Sequence, residues 1–306
     1  MKDTEELLLK GLSPDQPRHL HLHQIPVSFT KPSIWKLNKD VRGNKHILSG
    51  YRTISPSVAD SLCTISQWHN ETINIFTHLL GSVLFLLAPF YFYTYHYISS
   101  PNSQPIDILL FTTYSFGVSA CFGFSTSYHL VRNHSAAYAK FFNELDHLGI
   151  ILLMWTASLP SIYYGLICDP FLQALYWILM TALAAACTAA TLSPNFAFPV
   201  WRTALYATLG MSSLVFVTHG VLLYGLEIQT QRMALKFMGW MAVLNFTGAA
   251  IYVIRFPERW HPYRFDFIGA SHQIFHVLIV SAALVHFWGL LGSFEHIRGV
   301  ENFCGA

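Results

Sequence analysis

His272 and His276 lie four residues apart in FDFIGASHQIFHVLIVSAALVHF, residues 265–287. On a helix this spacing puts two imidazoles on one face, about 6 Å apart along the axis. The stretch is apolar enough to cross a bilayer. Polar ring nitrogens in hydrocarbon are costly unless paired, so the two rings form a candidate site. An HxxxH pair alone also fits helix packing or hydrogen bonding between helices. What separates these readings is whether other chemically able residues reach the same depth.

Three do. FSTSYHLVRN carries Ser125 and His129, and ELDHLGI carries Asp146. Three neutral imidazoles with an open fourth position form a catalytic type of zinc site, whereas a closed structural site takes four protein ligands. Zinc lowers the pKa of bound water to about 7 and polarises carbonyl oxygens. A carboxylate beside that water, here Asp146, can orient it or take its proton. Ser125, one turn from His129, suits a hydrogen bond to a substrate carbonyl or to the water. Bland alternatives stay open for both: Asp146 as a helix cap, and Ser125 bonded back to its own helix. With only Cys121 as a soft donor near this depth, the set favours zinc over copper(I) or iron–sulfur.

That convergence depends on the elements carrying the residues. The 306-residue chain is 53% hydrophobic and only 11% charged, against about 25% charged in soluble domains. This marks an all-α integral membrane protein. A net charge of +2 with no basic run excludes nucleic acid as a partner. Seven apolar runs, near 74–97, 106–131, 147–167, 171–192, 203–224, 234–254 and 268–291, each have the ~20 residues a spanning helix needs. Short linkers make residues 46–293 one seven-transmembrane helix bundle. It is flanked by a mostly disordered tail over 1–45 and a short tail over 294–306. The first tail carries an HLHLH tract, His19, His21 and His23. Ahead of the first span, SPSVADSLCTISQW predicts a short amphipathic interfacial helix, with Ser55 as cap and Pro56 in the first turn. The polar start of the chain argues against a cleaved signal peptide. Five cysteines without a CxxC pair indicate neither a zinc ribbon nor a disulfide framework.

Lys and Arg set the orientation. With the N-terminus cytosolic and the C-terminus extracytosolic, 15 of 18 basic residues face the cytosol, and six against three remain when the tail is discounted. His129, Asp146, His272 and His276 then share the inner leaflet. So do Glu71, Asn74 and His78 at the start of the first span, on one helix face by their spacing. They either ligate metal or, as the favoured reading, support the ligands and tether helices. His219 and His286 fall in the outer halves, too far to be ligands. Pro89 and Pro160 should bend their helices.

Several motifs in order resemble the progestin and adipoQ receptor family, of haemolysin-III type, which includes adiponectin receptors and zinc-homeostasis membrane proteins. They are GYR at 50–52, NETINIFTHLLG at 70–81, Ser125 with His129, Asp146, FPER at 256–259, FD at 265–266 and SHQIFHV at 271–277. The resemblance implies zinc on His129, His272 and His276, Asp146 near the zinc-bound water, and, as in adiponectin receptors, hydrolysis of ceramide. One departure is local: the family often has Pro-Gly after FPER, where this chain has Pro262 and Tyr263.

Two functions follow as expectations. The first is a receptor-like zinc hydrolase of a ceramide-like lipid amide, linked to lipid and zinc-homeostasis signalling. The second is a non-enzymatic receptor or sensor in which zinc is structural. Its partners would be an extracellular protein or a steroid, and a homo-oligomer is compatible with either. The plasma membrane and endomembranes are both open as locations. A zinc transporter is the weakest reading, since few acidic residues line the spans.

Overall fold

The computed structural model describes residues 44–193, 199–300 and 304. The HLHLH tract lies outside them. Among the described residues the architecture is all helical. A short helix, α1 (Val58–Cys63), is followed by α2 (Thr72–Phe92), α3 (Pro105–Val131), α4 (Ala136–Gly165), α5 (Pro170–Leu192), α6 (Pro199–Tyr224), the short α7 (Leu226–Arg232), α8 (Leu235–Ile254) and α9 (Ser271–Arg298). Seven of these, all but α1 and α7, are long and apolar enough to span a membrane. The chain is an integral, multi-pass membrane protein.

Local chemistry explains the starts. Ser57, rather than Ser55, caps α1 by accepting from Asp60 N; Ser55 instead hydrogen-bonds Ser61. α3 opens with Pro105, and Asp107 accepts from Gln104 N at 2.8 Å. Asp169 caps α5 ahead of Pro170. Past Pro89, α2 widens into a π turn over Tyr93–Tyr97. α1 has the exposed Leu62 and is flanked by the exposed Ile54 and Trp68, as an interfacial segment requires.

The third span starts at Ala136 behind the Ser135 cap, eleven residues before the expected 147. The polar stretch NELDHLG interrupts the apolar run without interrupting the helix. Asp146 therefore sits inside α4, and the capping alternative falls away. The last span runs on to Arg298. At this end Arg298 forms a bidentate pair with Asp107 at 2.9 and 3.0 Å, and Tyr164 adds a hydrogen bond to the same carboxylate at 3.0 Å. Beside it, Cys168 and Cys304 form a disulfide. This corrects the expectation drawn from the absence of CxxC: the partners are 136 residues apart and no short motif marks them.

Two large clusters form the core between the spans, and a small third one joins Ile47, Tyr51 and Ala270. One cluster, with Phe85, Phe111, Phe122 and Phe287, fills the space between α2, α3 and α9. The other, with Ile162, Met180, Leu209 and Phe216, joins α4, α5 and α6. α3 and α4 cross in close contact at Gly149, where an added Cβ would lie 2.9 Å from Cys121 Cα. Small residues allow such approaches between membrane helices. α8 is the outlier: it packs along α9 and makes no comparable contact with α4 or α6.

Candidate metal centre

His129 near the end of α3 meets His272 and His276 in the first turns of α9. One ring nitrogen from each lies within 4.8 Å of the others. His129 and His276 are buried, and His272 is half-buried. The hydrogen bonds of the rings decide which nitrogens are free. His129 Nδ1 donates to Glu71 Oε2 at 2.7 Å, and His276 Nδ1 donates to the Asn74 carbonyl at 3.2 Å. Both therefore present Nε2 with a lone pair. His272 Nε2 stands 3.2 Å from His129 Nε2. Two imidazoles on one tetrahedral zinc, each about 2.0–2.1 Å from it, have their nitrogens roughly 3.3 Å apart. The donor set fits a metal ion, and the three histidines are close enough to bind one.

The candidate supporting residues gather on the α2 side. Glu71 bridges three partners: His129, Asn74 Nδ2 at 2.7 Å and Arg132 Nη1 at 2.8 Å. Burial alone would raise the Glu71 pKa, but Arg132 and His129 hold it well below the usual carboxylate range. A carboxylate behind a ligating histidine fixes its tautomer and raises its basicity. His78 stacks on the His276 ring. Neither Glu71 nor His78 joins the cluster of candidate ligand atoms.

Asp146 and Ser125 face one another across the α3–α4 crossing, and the Asp146 carboxyl lies within electrostatic reach of His129. Gly149, one turn along α4, permits that proximity. His147 turns away: its Nδ1 donates to the Asn143 carbonyl and its ring packs near Tyr206. His286 donates to the Ala157 carbonyl, and His219 pairs with the Tyr176 hydroxyl. Both join neighbouring helices and stand apart from the histidine cluster.

A family model described as haemolysin-III related matches residues 66–287, which include all of these positions. The chain belongs to the haemolysin-III related family. The Adiponectin receptor protein of Drosophila melanogaster is 33% identical over 83% of this chain, a match that spans 57% of the fly protein. ADIPOR-like receptors of Eremothecium gossypii and Saccharomyces cerevisiae are 32% and 33% identical. They match over 84% and 85% of this chain and 82% and 83% of their own lengths. The resemblance read from the motifs is borne out.

In this haemolysin-III related chain the motifs flanking the cluster have mechanical work. Arg52 of GYR donates to the Leu130 and Thr64 oxygens at 2.8 Å and to the His129 carbonyl, closing the end of α3 beside the His129 ring. Burial draws its pKa down to about 10, so it remains a cation at neutral pH. Glu258 of FPER accepts from Ser271 N and Asn44 Nδ2 at 2.8 Å and from the Ser271 hydroxyl, fixing the first turn of α9. Asp266 of FD accepts from Ser49 Oγ at 2.6 Å and Leu48 N at 3.1 Å. Gln273 donates to the Asn70 carbonyl at 3.2 Å. The sequence marks these residues only as parts of motifs. Their partners sit on other elements, and no local spacing reveals them. Tyr263 adopts φ 66°, in the left-handed region that glycine favours.

Proposed function

We propose that this chain is a receptor-like membrane hydrolase that cleaves a lipid amide of the ceramide class at a zinc ion held by His129, His272 and His276. The observation that carries this reading is the convergence of three imidazoles beside a Ser–Asp pair. Zinc bound there supplies Lewis acidity, which polarises the amide carbonyl and lowers the pKa of water. Asp146 takes the proton from the attacking water as the new C–O bond forms, and delivers it to the amine nitrogen as the C–N bond breaks. The products are a fatty acid and an amine. Ser125 donates a hydrogen bond from its hydroxyl to the Asp146 carboxylate and so orients the base toward the water. Glu71 and Asn74 hold His129 and His276 in the tautomers that leave Nε2 free.

The N-terminal face is cytosolic in this reading, as the Lys and Arg count requires. The Cys168–Cys304 bond supports it independently, because disulfides persist in oxidising compartments and this one lies at the opposite face. Lipid reaches the site sideways. Support comes from α8, which among the long helices packs extensively on α9 alone, and from a small cavity between α4, α8 and α9, lined by Leu153, Ala157, Asn245, Ile279 and His286.

That the relatives are named as receptors favours a second reading. In it zinc would tie α3 to α9, and an extracytosolic protein or steroid would shift the bundle. Purified, zinc-loaded protein and its Asp146→Ala variant, given ceramide, separate the two. Loss of fatty-acid release with zinc retained supports the hydrolase. Equal release by both would sink the mechanism, and no release by either leaves the structural role.

A further inference from the structure

We infer that His78 is a positioning residue whose ring face sets the plane of His276, and that Phe122 and Gly81 complete the stack that holds it. This rests on the reading of the histidine cluster as a metal site. The His78 and His276 rings are nearly parallel, 12° apart with centroids at 3.6 Å. Phe122 lies behind His78 at 4.7 Å and 28°. The three rings form a pile running from α3, through α2, to α9.

Two other roles fit His78 less well. As a fourth ligand it would have to aim an in-plane lone pair at the shared ion. A ring stacked parallel to His276 at van der Waals distance aims beside it, and His78 is outside the group of mutually close ligand atoms. As a hydrogen-bonding relay it would need polar partners. Its two ring nitrogens are buried and neither makes a hydrogen bond of regular geometry. What His78 presents to the site is its face.

That face completes a restraint. The His276 Nδ1–H to Asn74 carbonyl bond fixes one edge of the ring, but the ring can still swing about that bond. His78 closes the side toward which it would swing. A metal on Nε2 leaves the His276 ring electron-poor, which strengthens its attraction to a neutral aromatic face. Gly81, one turn beyond His78, makes room for the backstop: a Cβ there would lie 2.8 Å from the Phe122 ring.

The test uses the full chain, purified in detergent, with cobalt(II) as a spectroscopic stand-in for zinc. Its visible bands report ligand geometry, and a competition titration gives the affinity. His78→Ala is expected to shift the bands and weaken binding about tenfold, the lower end for outer partners of ligating histidines. His78→Phe, which keeps a ring, is expected to restore both to near wild type, and His78→Gln is not. An unchanged His78→Ala protein, or a His78→Phe protein no better than His78→Ala, overturns the proposal. If His78→Ala does not fold, Gly81→Ala carries the test: its Cβ would press on Phe122, and less closely on Val280, without touching either imidazole. It should move the bands the same way, and unchanged bands overturn the stack. Wild-type protein that takes up no cobalt or zinc fails the metal-site reading itself, a separate outcome.

Discussion

Glu71 and His129, 58 residues apart in sequence, share a hydrogen bond of 2.7 Å in the buried base of the histidine cluster. The same carboxylate also holds Arg132 and Asn74. One side chain thus couples the start of α2 to the end of α3 and orients a candidate ligand.

Glu71→Gln should weaken zinc binding by roughly 10- to 100-fold, as loss of a carboxylate behind a ligating histidine does. A competition titration on purified protein measures it. Wild-type affinity in the variant would show that Glu71 serves Arg132 and Asn74 without tuning His129.

Removing the metal should lower the melting temperature, since an ion bound only by the folded state stabilises it by mass action. Chelator-treated protein should regain its melting temperature on adding zinc. The triple substitution of His129, His272 and His276 by Ala should show no response to either treatment.

These outcomes bear on how far residue types alone locate a site. His272 and His276 were visible because two imidazoles interrupt an apolar run at helical spacing. His129 and Asp146 became visible only once the spans were counted and oriented, since depth is a property of topology. The start of α4 was misplaced because Asn143, Glu144 and Asp146 look like a linker, although the helix carries them. Arg52 and Glu258 showed no role because each caps a helix from a loop, through partners that no local pattern marks. The Cys168–Cys304 pair was missed because cysteine spacing does not report proximity across a bundle.

His69 should make the protein acid-sensitive. It is buried, and its Nδ1 accepts from Glu71 N at 3.1 Å, which requires the unprotonated ring. Burial first, then Arg52, lowers its pKa from 6.5 to about 4. The unfolded chain therefore binds a proton that the folded chain refuses. The stabilisation is present above pH 6.5 and is lost as pH falls toward 4, on the order of 3 kcal/mol at most. Melting curves across that window should flatten in His69→Gln; an unchanged slope would count against His69 as its source.

Asp107→Asn should cost about 3–5 kcal/mol, the usual penalty for stripping one partner from a buried ion pair. Arg298 would keep Tyr163 but lose its counter-charge. A drop of several degrees in melting temperature is expected, and no drop would show that Arg298 finds another anion.

Orientation can be read chemically. In right-side-out vesicles, an impermeant maleimide should label Cys168 and Cys304 after reduction, and should reach Cys63, at the opposite face, only after permeabilisation. Labelling of Cys63 in sealed vesicles would reverse the topology.

The order in which the ribosome delivers these residues has a consequence for the life of the protein. His129 arrives on the second of seven spans, whereas His272 and His276 arrive on the last. Until α9 has been inserted and packed against α2 and α3, the nascent chain has one imidazole where the finished protein has three. A metal ion cannot guide the early insertion of the bundle. An ion held by all three would be acquired by a chain whose synthesis is essentially complete, and its capture would serve as a final check that the first helices and the last have found each other.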